Sequence, residues 1–366
     1  MAHIQTINVS RLVSFGPNAI SRLPNVFHEL GIKKIRIFSG QTHTKRITER
    51  MIIPLVQETP NSIEFSHTAL PETIKLSQLH SLASSISTDR TTFLMAVGGG
   101  KVIDYVKIIA GMANTEYIAV PTNASHDGFS SPYINYILRE QISRSKSKEK
   151  PIELKPISPL AIVGDTTLIS GAPKGSLTAG VGDILSKWVA VRDWRLAQRL
   201  KGVSFDIYAA TFSEMTATMV EEGIKSLGRQ FFSEQGVRVL MKALGSSGVA
   251  MCIAGSSRPA SGSEHLVSHA LDKLAPKYDF TLAHGHQTGL SSILMMYLHG
   301  GNWKRISRIL KEVNAPATLQ DLGIDRDILL EALTMAHNIR PDRYTILSEG
   351  LTHQAAVNAI EMTGID

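Results

Sequence analysis

Hydrophobic and polar residues alternate in two different rhythms along this chain. Ile32-Lys-Lys-Ile-Arg-Ile-Phe38 has a period of two and stops at Ser39-Gly40, which predicts a strand. Ile47, Met51, Ile52, Leu55 and Val56 then recur at helical spacing. Ser62 to Phe65 predicts a short strand, and Pro71 opens a helix carrying Ile74, Leu76, Leu79, Leu82 and Ala83. Thr92 to Val97 is a continuous apolar strand running into Gly98-Gly99-Gly100. The helix after it carries Val102, Ile103, Val106, Ile109 and Ala110, and Tyr117 to Val120 forms the next strand, ending at Pro121. Tyr133 to Leu138 and Ile152 to Leu154 are also strand-like. Alternating strands and helices imply a parallel sheet covered on both faces.

From about Thr166 the rhythm is helical throughout. The predicted segments are Asp183 to Leu200, Phe205 to Leu227, Gln235 to Ser256, His265 to Leu274, Gln287 to His299, Trp303 to Val313, Asp325 to His337 and Thr352 to Met362. Gly245, Pro259, Pro276 and Pro316 punctuate them as expected helix ends. The expected fold is thus an α/β N-terminal domain with a parallel sheet, residues 1–167, and an all-α C-terminal domain, residues 168–366. The boundary falls near Asp165 to Ser170.

With 366 residues there is room for these two domains. A mean hydropathy of +0.02 and the lack of an apolar run near ~20 residues argue against a membrane span. No charged-then-apolar signal opens the chain, so the cytoplasm is the expected location. Cys252 is the only cysteine, which excludes an intramolecular disulfide and a cysteine-based zinc cluster, and its apolar neighbours predict an inert buried thiol. The net charge of +6 is dispersed except for Arg144-Ser-Lys-Ser-Lys-Glu-Lys150. That run has no interleaved aromatics, which favours a solvated hairpin loop over a nucleic-acid patch. The expected partners are a small-molecule substrate and further copies of this chain. A positive balance also favours an anionic substrate.

Gly98-Gly99-Gly100-Lys101-Val102 joins a buried strand to a helix. In that context free N–H groups and the helix dipole attract a phosphate, although a glycine triplet also makes an ordinary tight turn. The stretch is neither G-x-G-x-x-G nor a Walker A loop. A second loop, Pro121 to Ser131, follows the next strand and should emerge at the same sheet edge. Its Thr122, Ser125 and Ser131 hydroxyls suit a ribose or nicotinamide amide, and Asp127 suits a substrate hydroxyl. Taken alone, the segment reads better as a ligand-free Ser/Asn/Gly loop. Further along, Asp183, His265 and His284 each stand in a context suited to a divalent-metal ligand. One carboxylate and two imidazoles can hold Zn²⁺ and leave a position open for substrate. Taken alone, the three residues fit two hydrogen-bonded core histidines and a capping aspartate as well.

Five segments together resemble one family: VGGGKVIDYVKIIA, VPTNASHDGFSSP, GVGDILSKWVAVRDWRLA, SGSEHLVSHALD and HGHQTGLSSILMMYLHGG. They are similar, in order, to motifs of sn-glycerol-1-phosphate dehydrogenase, within the iron-containing alcohol dehydrogenase, glycerol dehydrogenase and dehydroquinate synthase superfamily. The resemblance runs from about Phe15 to His299. It implies a dinucleotide-binding N-terminal domain, a helical C-terminal domain and an active site in the cleft between them. It also implies that Gly98, Gly99, Gly100, Lys101 and Val102 contact the cofactor pyrophosphate, and that Thr122, Asn123, Ala124, Ser125 and Ser131 contact its nicotinamide end. By the same resemblance Asp127 and His269 bind substrate, and Asp183, His265 and His284 bind the metal. His265 and His269 are four apart, so one helix face presents both. One departure stands out: where the family usually has His-Gly-Glu-Gln, this chain has His284-Gly285-His286-Gln287. On a helix, His286 would not face the same metal as His284.

The implied reaction is reversible reduction of dihydroxyacetone phosphate to sn-glycerol 1-phosphate by NAD(P)H. Zn²⁺ suits the ligand set, as do Fe²⁺ and Ni²⁺. No acidic residue follows the strand ending Phe38-Ser39-Gly40, which leaves room for the 2′-phosphate of NADP. Other readings are a dehydrogenase of another polyol or an aminocyclitol, a sugar-phosphate cyclase of the same superfamily, and a catalytically silent scaffold. The cyclases usually carry glutamate where this chain has Asp183, and a silent scaffold needs no intact triad.

Overall fold

A computed structural model describes residues 5–60, 62–86, 91–144 and 157–366. The chain forms two compact units. The first comprises residues 1–124 and 128–172, and the second residues 125–127 and 173–366.

The first unit is built on a six-stranded, wholly parallel sheet. Its strands are β1 (Leu12–Gly16), β2 (Lys34–Gly40), β3 (Glu64–Leu70), β4 (Thr92–Gly98), β5 (Tyr117–Pro121) and β6 (Ala161–Asp165), in the order β1-β6-β5-β4-β2-β3. The intervening helices are α1 (Leu23–Glu29), α2 (His43–Ile47), α3 (Ile53–Gln57), α4 (Leu76–Ser84), α5 (Gly100–Ala113), α6 (Tyr136–Arg144) and α7 (Thr166–Ser170). A π-helical turn, Thr48–Ile52, joins α2 to α3. Ile35, Ile37, Met95, Val97, Ile118, Val120 and Val163 supply buried strand residues to one core with Val26 and Phe27 of α1. Strand order reverses between β2 and β4, where Ser39 pairs in register with Val97. In an open α/β sheet, ligands bind outside the strand ends at such a reversal.

Several expectations are corrected here. Tyr133 to Leu138 is not a strand. The Asn135 side chain accepts hydrogen bonds from the Ile137 and Leu138 N–H groups and so starts α6, which removes one arm of the expected hairpin. The other arm, Ile152 to Leu154, and the basic residues from 145 onward lie outside the described residues. The helix expected to open at Pro71 starts at Leu76, where Gln78 Oε1 accepts the Lys75 N–H. Strands β1 and β6 had no expectation in the sequence. β1 is an edge strand with Val13 half exposed, and its pairing with β6 is non-local.

The second unit is helical: α8 (Lys174–Leu185), α9 (Lys187–Lys201), α10 (Ile207–Leu227), α11 (Glu234–Ala254), α12 (Ser263–Tyr278), α13 (His284–Leu298), α14 (Trp303–Glu312), α15 (Leu319–Leu322), α16 (Arg326–Met335) and α17 (His353–Thr363). The segment expected as one helix from Asp183 to Leu200 is two, so Asp183 lies in the last turn of α8 and Lys187 begins α9. Gly245 and Pro276 lie inside α11 and α12 rather than at helix ends. Cys252 is half-buried, not fully buried. Helix α11 is long and apolar enough by length and composition to cross a membrane, with a mean hydropathy of 1.4. It packs instead on α10 and α8, with 56% of that stretch buried.

Helix α13 is the buried centre of this unit and packs against α8, α12, α14 and α17. Its approach to α8 depends on glycine. A Cβ on Gly285 would overlap the Ala179 carbonyl, and one on Gly182 would overlap the Gly285 carbonyl. The obstructing atoms are backbone, so relief requires the helices to separate. Gly285→Ala is therefore expected to destabilise the protein by about 3 kcal/mol or more. Urea unfolding of this variant, with Gly111→Ala as the uncrowded control, measures that loss.

Candidate metal and substrate site

The second unit brings Asp183, His265 and His284 together. One potential ligand atom from each lies within 4.8 Å of the other two. Asp183 comes from the last turn of α8, His265 from the first turn of α12, and His284 is the first residue of α13. Asp183 is fully buried and His265 nearly so, and Asp183 Oδ1 lies 3.8 Å from His265 Nε2.

The two imidazoles are oriented by neighbours that the sequence analysis did not single out. Ser268 Oγ donates to Gln287 Oε1 at 2.5 Å, so it must accept from His284 Nδ1, 3.0 Å away. Gln287 Nε2 in turn donates to Asp272 Oδ1 at 3.0 Å. That direction of bonding puts the proton of neutral His284 on Nδ1 and leaves the Nε2 lone pair for a metal. His265 Nδ1 is 2.7 Å from Glu264 Oε1, which fixes its ring in the same sense. Burial, and then the neighbouring Asp193 carboxylate, pushes Glu264 up to about 8. Burial, reinforced by the other imidazoles, lowers His284 to about 3 and holds His265 well below its ordinary value. Both rings are thus neutral near pH 7, the form a metal requires. Asp193 also accepts from the Ser263 N–H at 2.6 Å and lies 3.0 Å from His299 Nε2, tying the start of α12 to the end of α13.

A buried ion-pair cluster adjoins the triad. Lys187 Nζ lies 3.0 Å from Asp127 Oδ2 and 3.2 Å from Asp183 Oδ1, and it donates to the Ala260 carbonyl at 3.3 Å. Ser247 Oγ donates to Asp127 Oδ2 at 2.7 Å, and the Asp127 N–H donates to Asp183 Oδ2 at 3.0 Å. Burial raises Asp183, as does the charge of Asp127 beside it. For Asp127 burial acts in the same direction, but Lys187 and Ser247 outweigh it and hold this carboxyl below its usual range. His269 is buried next to the triad, its ring centroid 6.2 Å from that of His265 and 5.9 Å from that of His284. His286 points elsewhere: its Nε2 lies 2.8 Å from Thr178 Oγ1 of α8. The i+4 spacing of Lys187 from Asp183 and the adjacency of Glu264 to His265 were signals available in the sequence. Ser247 gave none, because its partner is 120 residues away.

The glycine turn belongs to the first unit. Gly99 caps α5 in an extended conformation, and the Thr122 N–H donates to the Gly98 carbonyl at 3.1 Å. A Cβ on Gly98 would meet Val102 Cβ at 2.8 Å, and one on Gly99 would meet Asn123 Nδ2 at 2.9 Å. Both glycines therefore also answer to protein packing. Gly100 is the first residue of α5, and Lys101 is exposed, with its Nζ 3.6 Å from Glu72. Ala124 is buried in the first unit, whereas Ser125 groups with the second. Ser131 is buried, and its hydroxyl accepts from the Tyr133 N–H at 3.0 Å, a local turn contact.

The chain is similar to several known proteins. Residues 14–173 match a family model described as iron-containing alcohol dehydrogenase. The chain is 40% identical over 365 residues, 99% of each protein, to glycerol-1-phosphate dehydrogenase [NAD(P)+] of Caldivirga maquilingensis. It is 43% identical to the enzyme of that name from Pyrococcus horikoshii, covering 97% of this chain and 98% of the relative. A crystal structure of glycerol dehydrogenase from Schizosaccharomyces pombe shares the fold, with a TM-score of 0.77, 19% identity and coverage of 99% of this chain and 91% of that one.

The histidine environment has a pH consequence. An unfolded histidine takes up its proton near 6.5, whereas folded His284 resists protonation down to about 3. Between those values the unfolded chain binds more protons, so stability is complete above ~6.5 and declines as the pH falls towards 3. Urea midpoints of metal-stripped protein at pH 7.5 and 5 should show this loss. The loss should be smaller in His284→Gln.

Proposed function

Because the chain belongs to the glycerol-1-phosphate dehydrogenase family of iron-containing alcohol dehydrogenases, we propose that it interconverts dihydroxyacetone phosphate and sn-glycerol 1-phosphate with NAD(P)(H). The observation that carries this reading is the convergence of Asp183, His265 and His284, with Asp127 and His269 beside them, in a chain similar to these enzymes over its length.

Asp183, His265 and His284 would hold the divalent ion. The donor set fits one: a carboxylate and two imidazoles held neutral, with their Nδ1 atoms engaged by Glu264 and Ser268. Zn²⁺ is the ion favoured by one oxygen and two nitrogen donors, with Fe²⁺ and Ni²⁺ as alternatives. The ion, when bound, supplies a Lewis acid for a carbonyl or hydroxyl oxygen. Asp127 and His269 orient substrate hydroxyls or phosphate, and His269 is the group placed to hand a proton to or from the substrate oxygen. Lys187 and Ser247 keep Asp127 ionised and fixed in direction.

The strand-order reversal between β2 and β4 supports dinucleotide binding at Gly98–Val102, with Thr122 to Ser125 towards the nicotinamide end. NADP fits the end of β2. Ser39 Oγ donates to the Gly40 carbonyl and lies 2.8 Å from His67 Nε2, and no carboxylate follows to repel a 2′-phosphate.

Three measurements test this reading. His284→Ala should lose bound metal and turnover together, by metal analysis and NAD(P)H absorbance. A variant retaining both would remove the metal assignment. Dihydroxyacetone phosphate should be reduced far faster than dihydroxyacetone, and equal rates would remove the glycerol-phosphate assignment. Gly99→Ala meets only the flexible Asn123 amide, so the fold should persist while NAD(P)H affinity falls. Unchanged affinity would remove the pyrophosphate role.

A further inference from the structure

Lys187 bridges both carboxylates of the site, and its side chain is completely buried. A buried ammonium is costly unless its partners compensate, so a lysine kept here has to satisfy both acids at once. It bonds Asp183 on the metal side and Asp127 on the substrate side, while the Asp127 N–H closes the triangle onto Asp183 Oδ2.

The charges sum simply. Two carboxylates and one ammonium leave one negative charge. A divalent ion on Asp183 and the two neutral histidines changes that to one positive charge. Without the lysine the loaded site would be neutral. Reduction of a ketone places negative charge on the substrate oxygen, and fixed positive charge in a buried site stabilises it.

We infer that Lys187 is a positioning residue that holds Asp127 against Asp183 and leaves the metal-loaded cluster of Asp127, Asp183 and Lys187 with a net positive charge. It lowers the affinity for the ion and raises turnover. This rests on the proposed dehydrogenase function. It separates charge placement from mere support, because a structural lysine would, when lost, weaken metal binding and turnover together.

The test is Lys187→Met in the full-length protein, which keeps an unbranched stem and removes the charge. Zn²⁺ affinity is read by competition with a chromogenic chelator, and kcat and KM are measured with dihydroxyacetone phosphate and NAD(P)H. The expected result is Zn²⁺ bound at least as tightly as by the wild type, kcat lower by about tenfold or more, and an unchanged KM for NAD(P)H. A parallel loss of Zn²⁺ affinity and kcat, or an unchanged kcat, overturns the inference. Lys187→Met/Asp127→Asn restores the single negative charge and covers the case in which the single variant does not fold. It should fold and bind Zn²⁺ with wild-type affinity, and failure of both variants to fold with Zn²⁺ present assigns the lysine to packing and overturns the proposal. Wild-type protein that binds none of Zn²⁺, Fe²⁺ and Ni²⁺ would defeat the metal-dehydrogenase reading itself, and one that reduces no dihydroxyacetone phosphate would defeat the glycerol-phosphate assignment. Normal wild-type behaviour with a failed variant prediction would defeat only the role of Lys187.

Discussion

The close contact of α8 with α13 is the constraint on which the site depends. Gly182 and Gly285 allow the two backbones to meet, and each stands directly beside a candidate ligand, Asp183 or His284. Any side chain at either glycine would separate the helices and with them the carboxylate and the imidazole. Close packing of protein interiors makes this separation discrete, since neither backbone can yield locally. The two glycines thus act as spacers for the ligands next to them.

Around that contact, hydrogen bonds aim the donors. Ser268, Gln287 and Asp272 orient His284, and Glu264 orients His265. Asp193 secures the start of α12 and the end of α13 from α9. The site is buried, so each of these polar groups needs a partner, and the partners leave each ring little choice of direction. The same burial keeps the imidazoles neutral. The two carboxylates share a single ammonium, whose contacts with both fix Asp127 relative to Asp183.

In the first unit the comparable organising feature is topological. The chain runs outward from β2 to β3 and then returns to place β4 on the other side of β2. That reversal sets the glycine turn after β4 beside the Ser39-Gly40 end of β2. A Cβ on Gly40 would lie 3.8 Å from Val102 Cγ2, so the two turns are neighbours. A glycine triplet in sequence is ambiguous; one at a reversal of strand order is a place where a ligand fits.

Local periodicity was enough to identify β2, β4, β5 and most of the C-terminal helices, because their burial patterns repeat within a few residues. The motif resemblance carried the triad, Asp127 and His269. Where the sequence misled, a single contact outweighed propensity: the Asn135 side chain turned an apparent strand into α6. Gly245 and Pro276 resembled helix ends, yet packing carried α11 and α12 through both. Strands β1 and β6 were invisible because their pairing joins residues some 150 positions apart. Residue types and spacing therefore determined which elements form and which donors are available. Only the tertiary structure decided that Lys187 lies between two acids, that Ser247 bonds Asp127 and that His286 turns to Thr178, because each partner is supplied by a separate helix or loop.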